Sequence, residues 1–138
     1  MSKKVPFFEY PRLWTDHKES YISIFDRVAS SGGFILQKDL SDFETELAKY
    51  TGANYSVGVG NATDAMEIFL EAIGLNKGDE IIISSHTMLA TASAIKFAGG
   101  TPIPVDIGED NLISSESIEN AITSNTVLSL IHISEPTR

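Results

Sequence analysis

An unbroken row of three isoleucines, Ile81 to Ile83 within "DEIIISS", limits what this chain can become more than any other stretch. A strand with one wet face alternates apolar and polar residues, whereas this one has no polar side to show. It therefore predicts a strand covered on both faces, the situation of a parallel sheet flanked by helices. Its neighbours agree. "YSVGVG" reads as a short strand, residues 64 to 74 as a helix, residues 87 to 98 as a second helix and "TPIPVDI" as a third strand, giving β-α-β-α-β. Right-handed crossovers then place both helices between parallel neighbours in an open α/β sheet.

Two further helices are expected ahead of that unit. After a loop-like "VPFFEYPRLW", the segment from His17 to Ser30 carries Tyr21, Ile24, Phe25 and Val28 on one stripe, ended by Ser30-Ser31-Gly32-Gly33. "DLSDFETELAKYTGA" repeats the pattern with Leu40, Phe43, Leu47 and Tyr50, and Gly52 sits where a C-cap residue belongs. Behind the third strand, "SSESIENAIT" predicts a helix capped by Ser114 or Ser115.

Composition narrows the function classes. A formal charge of -9 over 138 residues offers no basic stripe for nucleic acid. With no cysteine, and with His17, His86 and His132 far apart, neither a disulfide framework nor a metal site is expected. No run approaches the roughly 18 apolar residues of a membrane span, and no signal-peptide pattern opens the chain, so the cytoplasm is the expected location.

The turn "VGVGNATDAM" is the candidate site. In a doubly wound sheet, ligands gather at the carboxyl ends of strands, where a helix N-terminus presents unpaired N–H groups and a partial positive charge. Gly58 and Gly60 would let backbone approach a ligand there, and Asn61 and Thr63 can hydrogen-bond an anion, most simply a phosphate. An ordinary cap explains the same residues: Asn61, Thr63 and Asp64 are all common at the N-cap, and Asp64 with Glu67 has the spacing of reciprocal capping. A dinucleotide site is less well served. Thr63 stands where the third glycine of G-x-G-x-x-G would be, and the strand ending in Ser84-Ser85-His86 brings no acid for a ribose.

Two long stretches, "SGGFILQKDLSDFETELAKYTGANYSVGVGNATDAM" and "GNATDAMEIFLEAIGLNKGDEIIISSHTMLATASAIKFAGGTPIPVDI", resemble the DegT/StrS family of nucleotide-sugar aminotransferases. These are fold type I pyridoxal-phosphate enzymes, and the resemblance covers nearly all of residues 5 to 126 with hardly a gap. It implies the N-terminal part of a truncated large domain, three-layered α/β/α with a mostly parallel sheet. On that basis residues 1–33 are an N-terminal arm and helix, and 34–127 a partial cofactor domain.

By this resemblance the turn of Asn61, Ala62, Thr63 and Asp64 holds the phosphate of pyridoxal 5'-phosphate, largely through backbone amides. Ala62 stands where a glycine is common, a change that matters only if that residue needs a positive φ. "SSHTMLAT" corresponds to the stretch passing over the pyridine ring, with Met88 at the usual aromatic position and His86 two residues earlier. Met88 as a core residue and His86 as a cap or core histidine are the plain alternatives. Asp106 reads as a turn residue and Lys96 as a late-helix cation, not a catalytic amine. "GGFILQ" resembles a segment near the active site and its dimer neighbour; Phe34 and Leu36 suit that contact and suit a plain hydrophobic anchor equally.

The implied reaction carries an amino group from an amino acid, often glutamate, to a nucleotide-linked keto sugar in polysaccharide or glycosylated-metabolite synthesis, in a homodimer. The Schiff-base lysine and the acid at the pyridine nitrogen fall in family segments outside this chain, so no catalytic residue is assigned and the fragment is expected to be inactive. A non-catalytic sensor or regulator on the same fold is the alternative. The string "LSLIHISEPTR", residues 128–138, resembles the translation of a transposase adapter used in sequencing libraries and is read as a non-native tail, which leaves His132 uninformative; a genuine short strand and tail is the plain alternative. Three strands lacking the rest of their sheet would also leave apolar surface open, so the fragment is expected to be poorly soluble or partly molten.

Overall fold

The computed structural model describes residues 5–130, so His132 and most of the segment read as foreign lie outside it. The described chain forms two compact units divided between Gly58 and Val59.

The first unit holds two helices, α1 (Tyr10–Ser31) and α2 (Lys38–Thr51). The first helix starts a full two turns before His17. Pro11 lies in its first turn, where a missing N–H costs nothing, and "YPRLW" is therefore helix rather than loop. Both helices end as expected: Gly32 and Gly52 adopt left-handed φ values of 69° and 73°, which only glycine reaches without strain. Between the helices Arg27 grips Asp39 with two hydrogen bonds, Nη2 to Oδ1 at 2.7 Å and Nη1 to Oδ2 at 3.2 Å. The apolar stripe of α1 is not buried; Tyr21, Ile24 and Phe25 are all exposed.

The second unit contains α3 (Ala62–Ala72), β1 (Glu80–Ser84), α4 (Leu89–Phe97), β2 (Thr101–Val105), α5 (Ser115–Ala121) and β3 (Thr126–Leu130). Its strands form one parallel sheet in the order β2-β1-β3. The isoleucine run is the central strand, as its lack of alternation requires. Ile81 and Ile83 pack with Leu70 of α3 and Ile95 of α4, while Ile82, on the opposite face, is equally buried. Ser114 caps α5, its Oγ accepting from the Ser117 amide at 3.2 Å.

The expected strand "YSVGVG" does not form. Residues 55–59 pair with no strand among the described residues, and Tyr55 and Val57 are exposed. Alternating side chains suit a pleat, but a strand exists only where a neighbour completes its ladder. Here the Gly58 amide instead donates to Glu44 Oε1 at 2.6 Å. Conversely, "TVLSL" does form β3. Its register slips at Val127, since Glu80 faces Thr126 while Ile81 faces Leu128, and Ser129 Oγ is buried with no hydrogen-bond partner among the described residues.

Candidate functional site at the switch point of the sheet

The chain leaves β1 for β2 on one side and returns to β3 on the other, so the strand order reverses between β1 and β3. A crevice is expected at the carboxyl ends of those two strands. A cavity of about 480 Å³ lies there, bordered by Ser84 at the end of β1 and Leu130 at the end of β3. The opening turns of two helices close in on it: Ala62 and Thr63 from α3, then Met88, Ala90 and Thr91 from α4. Both helices therefore turn the positive ends of their dipoles towards one space.

The start of α3 is fixed by Asn61. Its backbone is extended, and its Oδ1 accepts from the amides of Thr63 at 2.9 Å and Asp64 at 3.0 Å. Asn61 Nδ2 donates in turn to Asp64 Oδ2 at 3.0 Å, and the Asn61 carbonyl accepts from the Ala65 amide at 3.1 Å. The cap is thus Asn61 paired with Asp64, in place of the Asp64–Glu67 pairing expected from spacing. Among the described residues no partner takes the Ala62 amide, which faces the same helix end. Ala62 has no positive φ, so alanine in place of glycine carries no strain.

The two glycines of this turn make room for protein atoms rather than for a ligand. A Cβ on Gly60 would lie 2.6 Å from Asp64 Oδ2, and one on Gly58 would lie 2.5 Å from Leu40 Cδ1. Of the six residues expected at the site, Ala62, Thr63 and Met88 line the cavity; Asn61 and Asp64 shape its rim through the cap, and His86 does not line it. Met88 is 74% exposed, which removes its reading as a core residue. His86 is exposed, its amide donating to Ser84 Oγ at 3.2 Å. Asp106 and Lys96 are exposed as well, away from the lining residues.

Sequence reasoning missed part of the wall. Ala62, Ala65, Met66 and Phe69 recur at helical spacing and share one face of α3, directed to the cavity. That stripe was legible, yet it runs beside the one carrying Leu70 into the core, and spacing alone assigns both to packing. Thr87 and Thr91 add a hydroxyl pair, Oγ1 to Oγ1 at 3.1 Å. The chemistry is that of a largely apolar cavity with threonine hydroxyls and the N–H groups of a helix start. It suits a ligand with an apolar body and an anionic tail.

Comparison with known proteins agrees with this geometry. Residues 15–133 match the pattern of the DegT/DnrJ/EryC1/StrS aminotransferase family, and the chain belongs to that family. It is 34% identical over 124 residues to a dTDP-3-amino-3,4,6-trideoxy-alpha-D-glucose transaminase of Streptomyces venezuelae, covering 89% of this chain and 33% of that protein. It is 38% identical over 125 residues to the 3-oxo-glucose-6-phosphate:glutamate aminotransferase of Bacillus subtilis, covering 89% of this chain and 28% of the relative. Among solved structures it superposes on NtdA from Bacillus subtilis with bound cofactor PMP at a TM-score of 0.85 and 36% identity, over 94% of this chain and 30% of that one. The chain spans about a third of the length of the curated relatives it matches. Its α/β architecture is that of a piece of a fold type I aminotransferase.

Proposed function

We propose that this chain is the phosphate-anchoring and ring-covering part of a pyridoxal 5'-phosphate-dependent sugar aminotransferase. The reaction moves an amino group from an amino acid, glutamate being our choice, to a nucleotide-linked keto sugar. The observation that carries this reading is the cavity at the carboxyl end of β1, bordered by the openings of α3 and α4, elements all formed by residues ahead of 128. The names of the relatives support it: both are aminotransferases of sugars, and one names glutamate. The working protein, on this reading, is a cytoplasmic homodimer.

The residues present fit the cofactor. The Ala62 amide and the Thr63 hydroxyl stand where its phosphate would be held, within the positive end of α3. Thr63 and Asp64 amides join them once Asn61 releases its grip, so the cap and the anion compete for the same donors. Ala65, Met66 and Phe69 keep water from one wall, and Met88 covers the ring, with His86 as a second candidate for that cover. The bound cofactor supplies the electron sink of the reaction. Thr87 and Thr91, hydrogen-bonded to each other, add hydroxyls to the lining that the cofactor's polar groups could meet.

Residues 128–138 belong, on this reading, to no part of the natural protein, and sequencing the locus beyond codon 127 tests that directly. The functional test uses the uninterrupted gene product. Purified with pyridoxal phosphate, it is expected to show a cofactor absorbance band that shifts when glutamate is added. A bound cofactor indifferent to every amino donor would refute transamination and leave the sensor; no binding would refute the site.

A further inference from the structure

The chain has three methionines and no cysteine, so apart from Met1 its sulfur is confined to Met66 and Met88. Both line the cavity at the switch point. They differ in access: Met88, in extended backbone at the cap of α4, is 74% exposed, whereas Met66 is half-buried within α3. We infer that Met88 is a site of reversible sulfoxidation, and that its oxidation weakens cofactor binding in this cavity. The first half stands on exposure and chemistry; the second rests on the function proposed above.

A hydroperoxide is the oxidant. The sulfur lone pair attacks a peroxide oxygen, the O–O bond breaks, and the departing oxygen leaves as water or alcohol once protonated. Sulfur loses two electrons and the peroxide gains them. The product is polar and carries a new acceptor oxygen. Its new dipole alters what the cavity offers a ring, because the lining is largely apolar, with Ala62, Ala65, Phe69 and Ala90 beside the hydroxyls of Thr63, Ser84, Thr87 and Thr91. Covering an aromatic ring depends on the soft, apolar thioether, which oxidation removes. Methionine sulfoxide reductases reverse the change.

The first measurement treats the uninterrupted gene product, without added cofactor, with hydrogen peroxide and maps added oxygen by peptide mass. Met88 is expected to oxidise at least about threefold faster than Met66, following exposure; equal rates, or Met66 first, overturn the site. The second uses the uninterrupted gene product and equilibrium dialysis with pyridoxal phosphate. Oxidation is expected to weaken binding up to about tenfold, and reductase to restore it. A Met66→Leu variant keeps that response, and a Met88→Leu variant, whatever its own affinity, loses it. Unchanged affinity after full conversion of Met88, or the same response in Met88→Leu, overturns the regulatory half. If the reduced protein binds no cofactor at all, the proposed function falls and takes the regulatory half with it, while the mass map still decides the modification site.

Discussion

Removing the Asn61 side chain is expected to cost stability and improve anion binding at once, because one oxygen occupies the amides that a phosphate would use. Asn61 Oδ1 holds Thr63 N at 2.9 Å and Asp64 N at 3.0 Å, two of the donors that a helix start otherwise leaves unpaired. Replacing such a cap by alanine costs about 1 kcal/mol. In Asn61→Ala the first turn of α3 should open more readily, and hydrogen exchange at Thr63 and Asp64 should quicken at least about fivefold, the factor corresponding to that energy. The same energy acts with opposite sign on ligand binding. In the natural chain an anion taking both amides must displace the carboxamide first, so inorganic phosphate should bind the alanine variant about fivefold more tightly, read as a larger phosphate-induced shift of its denaturation midpoint. Asn61→Asp separates the two effects. It keeps a capping oxygen and suits the dipole, but sets a second carboxylate beside Asp64 and should repel phosphate. If Asn61→Ala leaves exchange at these amides unchanged, the cap carries no energy. If the variant instead binds phosphate more weakly, Asn61 is a ligand contact and the competition is wrong.

Three other outcomes follow from the packing and the charges. Leu70→Ala removes a fully buried side chain from its contacts with Ile81, Ile83 and Ile95 and should cost about 3 kcal/mol in urea unfolding followed by far-ultraviolet circular dichroism; a loss below about 1 kcal/mol would mean this is no packed core. Ser129→Ala deletes a buried hydroxyl with no partner among the described residues and should be neutral or stabilising by up to about 1 kcal/mol in the same experiment, whereas a clear loss would reveal a bond to it. The Asp39 carboxyl is held below its ordinary range, first by the hydrogen bond from Arg27, so its small contribution is present above that range and fades as pH falls below about 4. Both partners are exposed, and Asp39→Asn or added salt should flatten this part of the acid limb without moving the neutral-pH midpoint much.

What was legible in the sequence is what depends on local periodicity. The Ile81–Ile83 run declared a strand buried on both faces because no polar position interrupts it, and the glycines at 32 and 52 declared helix ends because glycine takes a left-handed φ without the strain a Cβ brings. The site was legible in two ways: local chemistry marked the start of α3 through Asn61 and Thr63, and the family resemblance added Ala62 and Met88; the structure brings Ala62, Thr63 and Met88 to one cavity. The rest depended on atoms distant in sequence. Gly58 looked like a ligand approach, but the space above it is filled by Leu40, eighteen positions earlier. Met66 and Phe69 were not singled out, because α3 has two apolar stripes and nothing local says which one meets the sheet.

Residues 55–59 mark the limit most sharply. Tyr55, Val57 and Val59 alternate with Ser56 and Gly58 as a strand should, and yet no ladder receives them among the described residues. The sheet itself shows how selective reception is. On β2 the Thr101 amide and the Val105 carbonyl bond towards β1, so the odd positions face inward and Pro102 and Pro104 occupy the outer edge. A proline has no N–H to offer, and two of them blunt that edge against any further strand. The opposite edge, along β3, carries no proline and keeps its donors. Growth of this sheet is therefore permitted on one side and hindered on the other, a consequence of which residues alternate outward, not of how apolar they are. Periodicity tells a segment which faces it has; only the donors and acceptors of a second segment decide whether it becomes a strand.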